Sequence, residues 1–559
     1  MPADERTPLL EGTQLAGAAA PRILAESDLH DHPRDEEFDA SHEPPSLPFR
    51  TVALACTALW MVTFICSLDT TVVAMLLGPI SASFYSSEKA SWIGSTYLLS
   101  VCATSSLYGR LCDIIGGKRA LTISISFFTL GTFWCGRAMS MNEFLAARTL
   151  AGIGGGGLST VGSVIMSHMV PLHQRGVYQG LTNVMWGMGI AVGGPVGGIL
   201  NDTIGWRGTF YIQLPLLVIA FVALNYLLPQ DEPTYDSDAT SPWGRLKDID
   251  FYGLGIVTLV PLSLLYVLDL ISVKDVAFSD WRVVAGVTVS FVALVAFYFV
   301  ERYVSRVPLI SFDVLALRSA WASLVSNLFV AAATFAYNYN FPLYFQTVAQ
   351  MPPSTIGVRM IPASFTLSIG SLVAGIYMKQ TLKYYWYNAW CIIMVVLAVS
   401  RTLFYYVDPP TVSPFVYNAF ISFGGAGMLT CTLLALINSV EKHSIGVSTG
   451  MSYFFRTSGQ VYGVAFSGGI LQMTLVHELR QRIVGPEAEE LIAKIRHEST
   501  AIATLPEPFR AAAIEAYAGA LHNVFVFVFV GFVGAMVFSL LLENKPLPVP
   551  EKPRDEERT

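Results

Sequence analysis

Fourteen segments of this chain are apolar over a length that can cross a lipid bilayer. A membrane helix needs about 20 mostly apolar residues, and each segment is almost free of Asp, Glu, Lys and Arg. They lie near 51–78, 90–109, 120–138, 145–167, 177–200, 207–228, 251–271, 282–300, 320–345, 357–378, 385–406, 414–438, 447–474 and 522–542. The sequence predicts an all-α membrane protein with about 14 transmembrane helices, or 12 or 13 if tight junctions merge.

The composition excludes two other classes of protein. Hydrophobic residues make up 53% of the 559 residues and charged residues only 13%, against roughly a quarter in soluble domains. Neither a soluble globular protein nor a disordered chain has this balance. The net charge of −7 belongs to residues 1–50, which hold 4 basic and 11 acidic residues. We expect a disordered, acidic cytosolic arm there and no nucleic-acid partner.

The short loops predict the orientation. Lys and Arg are enriched in cytosolic loops, and the loop after the second segment carries Arg110, Lys118 and Arg119. The loops on the opposite side are poorer in basic residues, so both termini are expected in the cytosol. The long segment 475–521 then lies on the far side, with helical stretches near 486–497 and 508–519.

A short repeat suggests two related halves. Residues 176–182 (Gly-Val-Tyr-Gln-Gly-Leu-Thr) recur as 446–452 (Gly-Val-Ser-Thr-Gly-Met-Ser), each after a cytosolic turn. Chance similarity between Gly-rich helix starts is the alternative. The predicted domains are the arm 1–50, a six-helix bundle 51–228, a cytosolic loop 229–250, two linking helices 251–303, a six-helix bundle 304–545 and a tail 546–559.

The loop after the second segment carries the strongest motif. It reads Gly109-Arg110-Leu-Cys-Asp113-Ile-Ile-Gly-Gly117-Lys118-Arg119. Gly109 permits close helix approach, and Asp113 with Lys118 and Arg119 is expected to form charge-assisted hydrogen bonds across the gap between the halves. We name these six numbered residues the latch. A plain basic loop would explain Lys118 and Arg119 but not the spacing of the whole motif.

The latch resembles the loop signature of the major facilitator superfamily, with Gly117 where many members have Arg. Residues 68–73 (Leu-Asp-Thr-Thr-Val-Val) and 206–215 resemble the fourteen-helix drug:proton antiporter branch of that family. Residues 148–152 (Arg-Thr-Leu-Ala-Gly) resemble its buried-arginine motif. Its antiporter helix motif is matched by Gly193, Gly194, Pro195, Gly197 and Gly198. This resemblance implies two pseudo-symmetric halves that alternate access to a central site.

Within that branch, the chain is similar to fungal vacuolar basic amino acid transporters. The residues that carry this resemblance are 130–136, 150–158, 357–362 and 375–379. The similarity runs from about residue 50 to residue 545. It implies basic amino acids as substrates, although close relatives in the same branch export drugs.

Asp69 and Arg148 are the first candidates for proton coupling or substrate binding. A charge at the bilayer centre costs about 2.5–3.5 kcal/mol on insertion scales, so we expect Asp69 to face a wet cavity and to carry a proton or bind a cation. The alternative is a carboxylate that bonds only to Thr70 or Thr71. Arg148 either tunes Asp69, pairs with a carboxylate, or extends to the membrane interface.

Other polar residues within predicted spans are candidates for the same site. Tyr337, Asn338 and Asn340 need partners inside the membrane, so they either line the cavity, where Tyr rings attract cations, or join helices.

Asn183, Trp186 and Arg456 are also substrate candidates. Arg456 is expected to contact either the substrate or a structural acid. Asn183 and Trp186 are expected either to line the cavity or to join helices.

The amino-terminal arm contains a candidate sorting signal. Glu5, Leu9 and Leu10 in Glu-Arg-Thr-Pro-Leu-Leu resemble an acidic dileucine signal, read by adaptor complexes that deliver cargo to vacuoles or lysosomes. A chance match is the alternative.

The sequence therefore predicts a proton-coupled antiporter of the vacuolar membrane that moves lysine, arginine and histidine from cytosol to vacuole. It needs no cofactor or metal, since a gradient of about two pH units supplies about 2.7 kcal/mol per proton. The alternatives are a multidrug or toxin:proton exporter of the plasma membrane and a transporter-like sensor without flux. No nucleophile–base set suggests an enzyme.

Overall fold

The chain folds into a multi-pass bundle of α-helices. The computed structural model describes residues 48–85, 90–228, 250–272, 276, 279–305, 308–351, 353–404, 412–441, 444–483, 488–497, 502, 505–507 and 509–547. The predicted sorting signal at Glu5, Leu9 and Leu10 lies outside these residues.

The first half of the described chain contributes five helices. They are α1 (Phe49–Ser83), α2 (Ala90–Ile115), α3 (Gly117–Arg137), α4 (Met141–Met169) and α5 (Leu172–Leu227). Gly205, at φ 76° and ψ 163°, breaks α5. That positive φ suits glycine, which has no Cβ. The break falls between the fifth and sixth predicted segments, so α5 is two membrane-length helices in sequence.

The rest of the described chain adds ten α-helices. They are α6 (Phe251–Ser272), α7 (Trp281–Phe299), the short α8 (Phe312–Ala316), α9 (Arg318–Thr347), α10 (Pro353–Thr381), α11 (Tyr385–Ser400), α12 (Ser413–Ile437), α13 (Ile445–Arg482), α14 (Ala488–His497) and α15 (Phe509–Leu540). A π-helical turn, Val300–Val304, continues α7.

The number of spans agrees with the prediction of about 14. Ten helices among the described residues are long and apolar enough to cross a membrane, and one of them is the two-part α5. The other predicted segments correspond to α3, α6 and α13, which are shorter or more polar. In the far-side segment, the helical stretches predicted near 486–497 and 508–519 correspond to α14 and to the start of α15, while α13 continues beyond its predicted end to Arg482.

Two large apolar cores hold the bundle together. Helices α1–α5 bury one cluster of side chains, and α9–α15 bury another. The two groups meet where α2 packs on α13 and where α5 packs on α10. Helices α6 and α7 pack mainly on each other, and α7 leaves large apolar side chains exposed, as a lipid-facing helix does.

Local signals fix the start of α4, the helix that carries Arg148. Ser140 caps it, because the Ser140 hydroxyl accepts a hydrogen bond from the backbone N–H of Glu143 at 3.2 Å. The Glu143 carboxylate in turn accepts from the Met139 N–H at 2.9 Å and from the Trp134 indole at 2.8 Å. These bonds satisfy donors that a helix start leaves unpaired. Arg148 follows about two turns later.

Candidate functional site

A cavity lies between the two halves of the bundle. Its walls come from α1, α2, α4 and α5 on one side and from α9 and α13 on the other. It holds about 980 Å³ of empty space, with the open solvent at its mouth included. Hydroxyl and amide side chains on the wall include Thr63, Ser159, Gln179, Thr182, Asn183 and Gln460.

Arg456 is the charged side chain of this wall among the described residues. It lies on α13, is half-buried, and its Cζ atom is 6.0 Å from the ring centre of Tyr453. A smaller recess of about 280 Å³ also borders Arg456 and is lined by Asn327 and Ser452 as well. The described part of both walls contains no Asp or Glu side chain. Arg456 is thus placed to contact a substrate.

Asn183 and Trp186 also line the cavity, as expected. The Asn183 amide donates a hydrogen bond at 2.7 Å to the hydroxyl of Ser371 on α10. Its distance to the Thr430 hydroxyl on α12 is 3.4 Å. Asn183 therefore both lines the cavity and joins the two halves, so the two interpretations that the sequence left open, cavity lining and helix joining, apply together.

Asp69 and Arg148 form an ion pair, but not in the cavity. Arg148 Nη1 lies 2.8 Å from Asp69 Oδ2, and the two side chains are 2% and 0% exposed. The expectation that Asp69 faces a wet cavity is wrong, because the carboxylate is fully buried beside Arg148 and does not line the cavity. The interfacial alternative for Arg148 also fails, since the guanidinium is buried. Thr70 donates to a backbone carbonyl at 3.0 Å instead of to Asp69.

Tyr97 separates the ion pair from the cavity. Its ring lines the cavity, and its centre lies 4.4 Å from Arg148 Cζ. The Tyr97 hydroxyl is 3.3 Å from Cys66 Sγ, which lines the same wall. Tyr97 was not among the predicted site residues, because one aromatic residue on an apolar helix gives no distinguishing signal in the sequence.

The polar group on α9 is divided. Tyr337 is fully buried and packs against Phe341, with ring centres 4.9 Å apart. The Asn340 amide bonds to the Ala336 carbonyl at 2.7 Å and to the Ser467 hydroxyl on α13 at 3.1 Å. Neither residue lines the cavity, so for them the helix-joining alternative holds. Asn338 is exposed, on the same helix face as the cavity residue Phe335 three positions earlier.

The latch crosses between the halves through its first three residues. The Asp113 carboxylate accepts a hydrogen bond from the backbone N–H of Val447, in the first turn of α13. A negative charge at a helix start is favourable, because unpaired N–H groups point outward there. Arg110 Nε donates at 2.6 Å to the carbonyl of Pro308, and its Nη1 lies 4.0 Å from Asp113.

The last residues of the latch act differently from the expectation. Lys118 donates at 2.8 Å to the Leu228 carbonyl, and Arg119 lies 3.4 Å from the Ile115 carbonyl. Both contacts stay within the first half, so the expected bonds of Lys118 and Arg119 across the gap are not formed among the described residues. The turn at Gly116, with φ 87°, starts α3 at Gly117, and the Lys118 side chain reaches the end of α5.

Glycines bring the halves into contact at the latch face, the face that carries Gly109–Arg119. A Cβ atom placed on Gly109 would lie 2.6 Å from the Gly446 carbonyl oxygen and 2.9 Å from Gly450 Cα. A Cβ on Gly176 would lie 3.0 Å from Gly375 Cα. The repeat thus places Gly176 and Gly446 at the two crossings between halves. These crossings close the cavity at the latch face, which the sequence predicts to be cytosolic.

The antiporter helix motif packs α5 against α1. A Cβ on Gly193 would lie 2.9 Å from the Leu68 carbonyl oxygen, and one on Gly197 would lie 3.2 Å from Val72 Cα. Gly194 is looser, at 3.9 Å from Met75, and Gly198 has no neighbour within 4 Å. Pro195 lies between them inside α5. The motif therefore supports the part of α1 that carries Asp69.

The helices, the two-part core and the central cavity describe a membrane transporter. The chain belongs to the Major Facilitator Superfamily, whose profile matches residues 59–464.

The chain is similar to several fungal transporters. It is 32% identical to multidrug resistance protein fnx1 of Schizosaccharomyces pombe, covering 85% of this chain and 90% of the relative. It is 31% identical to the vacuolar membrane amino acid uptake transporter fnx2 of the same organism, covering 93% and 91%. It is 29% identical to vacuolar basic amino acid transporter 1 of Saccharomyces cerevisiae, covering 73% and 76%.

A solved structure shares the fold. The human organic anion transporter MFSD10 superposes with a TM-score of 0.56 at 14% identity, covering 88% of this chain and all of that one. Proteins of this family move solutes and are not enzymes.

Proposed function

We propose that the protein is a proton-coupled antiporter of the vacuolar membrane that carries basic amino acids such as lysine, arginine and histidine from the cytosol into the vacuole. Two of the relatives are named as vacuolar transporters of amino acids, one of them for basic amino acids, and the similarity to the other covers 93% of this chain. Both relatives support the substrate class and the membrane.

The cavity between the halves is the observation that carries the proposal. It carries polar side chains on both walls, and the two halves meet at one face through close glycine contacts. A carrier that rocks two halves around a midplane site needs such crossings, because they let helices meet closely in one state and part in the other.

The Asp69–Arg148 pair supports proton coupling. A proton on Asp69 would remove the countercharge of Arg148 and leave a guanidinium unpaired behind Tyr97, which lines the cavity. Removing one partner of a buried pair costs several kcal/mol, about 3–5. Protonation at this pair would therefore change the relative free energies of the carrier's states.

A drug or toxin exporter of the plasma membrane is the second candidate. One observation favours it: large apolar side chains, among them Leu59, Leu98, Met166 and Phe335, share the cavity wall with the polar groups. The relative at 32% identity is named for multidrug resistance.

Uptake into isolated vacuolar vesicles tests the proposal. Radiolabelled lysine, arginine and histidine are offered to vesicles with and without the protein, with ATP present to drive the proton pump. We expect protein-dependent uptake that a protonophore abolishes.

Three other results would contradict the proposal. No difference between vesicles shown to contain the protein and those without it would refute the basic amino acid assignment. Surface localisation with drug sensitivity on deletion would favour the exporter. Saturable binding without uptake would favour the sensor.

A further inference from the structure

Arg456 is a charged side chain on the cavity wall, with no counter-ion among the residues that the structure describes. Its guanidinium has no ion pair or hydrogen bond among the described residues, and it borders both the cavity and the recess. A charge at this depth is costly unless it meets a partner or a water-filled space. In this protein it meets the space from which a substrate would be carried.

The neighbouring charges do not neutralise Arg456. Asp69 is engaged by Arg148 inside the opposite half, at 2.8 Å. No carboxylate among the described residues lines the cavity or the recess. The field in the cavity is therefore positive near α13, and low-dielectric walls strengthen its attraction for an anionic group.

Two amide side chains of the recess wall, Asn327 and Asn183, are held by hydrogen bonds. The Asn327 amide donates at 3.1 Å to the Ser452 hydroxyl and accepts at 2.9 Å from Thr432. The Asn183 amide donates across the halves to Ser371. These bonds hold both amides in place before a ligand arrives, and the guanidinium of Arg456 is a charged donor group on the same wall. Its planar fork matches the two oxygens of a carboxylate.

We propose that Arg456 binds the carboxylate of the transported molecule, and that this contact selects carboxylate-bearing substrates over the corresponding amines. The inference rests on the proposed function for the identity of that molecule. For a basic amino acid, it assigns the α-carboxylate to Arg456 and the side-chain cation to the uncharged part of the wall. A diamine without the carboxylate would meet a positive charge and no negative one.

Thermal unfolding of the purified full-length protein in detergent tests the selection. The ligands are offered in pairs that differ only in the carboxylate: lysine and cadaverine, arginine and agmatine, leucine and 3-methylbutylamine. We expect at least one amino acid to raise the unfolding midpoint and its amine to leave the midpoint unchanged. Arg456→Gln should weaken amino acid binding about ten- to a hundredfold, the range for loss of a hydrogen bond to a charged group.

Two further variants serve as controls. Arg456→Lys keeps the charge without the planar fork and should retain part of the binding. Arg401→Gln removes an exposed arginine of the same half that does not border the cavity, and it should bind like the unmodified protein.

The outcomes separate this inference from the proposed substrate. If leucine but not lysine stabilises the protein and Arg456→Gln loses that effect, the basic amino acid assignment is wrong and the carboxylate contact stands. The contact itself is overturned if amines stabilise the protein as strongly as their amino acids, if no amino acid stabilises it, or if Arg456→Gln binds lysine with unchanged affinity. If Arg456→Gln does not fold, the ligand pairs and Arg456→Lys still decide.

Discussion

Removing one partner of the buried ion pair of Asp69 and Arg148 is expected to destabilise the first half strongly, and Asp69→Asn tests this. The substitution keeps the size of the side chain, so it removes a charge without opening a cavity. It leaves the Arg148 guanidinium, which is 2% exposed, without the carboxylate that lies at 2.8 Å in the unmodified protein. Breaking a buried pair in this way costs about 3–5 kcal/mol, since the remaining charge stays buried.

Removing the other partner, by Arg148→Gln, should lower the free energy of unfolding by less than Asp69→Asn does. A lone carboxyl can take up a proton and become neutral, whereas a guanidinium stays charged in a protein. The double variant carries two neutral amides at the same place and is expected to be more stable than Asp69→Asn alone. Its loss should fall short of the sum of the single losses by about 0.5–3 kcal/mol, the range for residues in direct contact.

Reversible unfolding in mixed detergent micelles measures these free energies. Asp280→Asn is the matched control, because Asp280 pairs with Arg282 at 3.1 Å but the two side chains are 25% and 44% exposed. Exposed pairs contribute about 0–1 kcal/mol, and Asn caps a helix as well as Asp does. Additive losses in the double variant, or an Asp69→Asn protein as stable as the control, would refute the reasoning.

Three further predictions follow from the packing and the sequence. Gly109→Ala should separate α2 from α13 and disfavour the state that is closed at the latch face by about 1–3 kcal/mol. Vesicle uptake should then fall strongly, whereas the control Gly94→Ala should keep its uptake, because a Cβ on Gly94 meets nothing within 4 Å. Phe144→Ala should lower the free energy of unfolding by about 3–5 kcal/mol, because this fully buried ring packs among three other aromatic rings. Replacing Leu9 and Leu10 by Ala should redirect the protein from the vacuolar to the plasma membrane under fluorescence microscopy, and unchanged vacuolar labelling would contradict the sorting signal.

Much of the fold could be predicted because membrane helices are encoded locally. Apolar length alone located the spans, and even the break of α5 at Gly205 fell between two predicted segments. The far end of α13 was missed, since His477, Glu478 and Arg480 give its last turns no apolar signal. A helix that leaves the membrane and continues in water has no mark in a hydropathy pattern.

The candidate site was harder to predict because partners are distant in sequence. A polar residue in a membrane helix indicates that it has a partner inside the protein, but the sequence does not show which residue that partner is. Asp69 finds its partner 79 residues away on another helix, and Asn340 finds Ser467 127 residues away. Only the packed helices show that the first pair is shielded from the cavity and that the second joins two helices. They also show that Arg456 does neither and borders the cavity instead.

The charges of the transport region are divided between the halves, and this limits how coupling can work. The pair of Asp69 and Arg148 lies within the first half, while Arg456 lies across the cavity on α13. A proton on Asp69 and a carboxylate at Arg456 therefore do not compete for one group. Two sites without a shared group are coupled only if each changes the free energy of the same global states. Under the proposed function, the wall at Tyr97 is the candidate for such a common element, because Tyr97 touches Arg148 on one side and the cavity on the other.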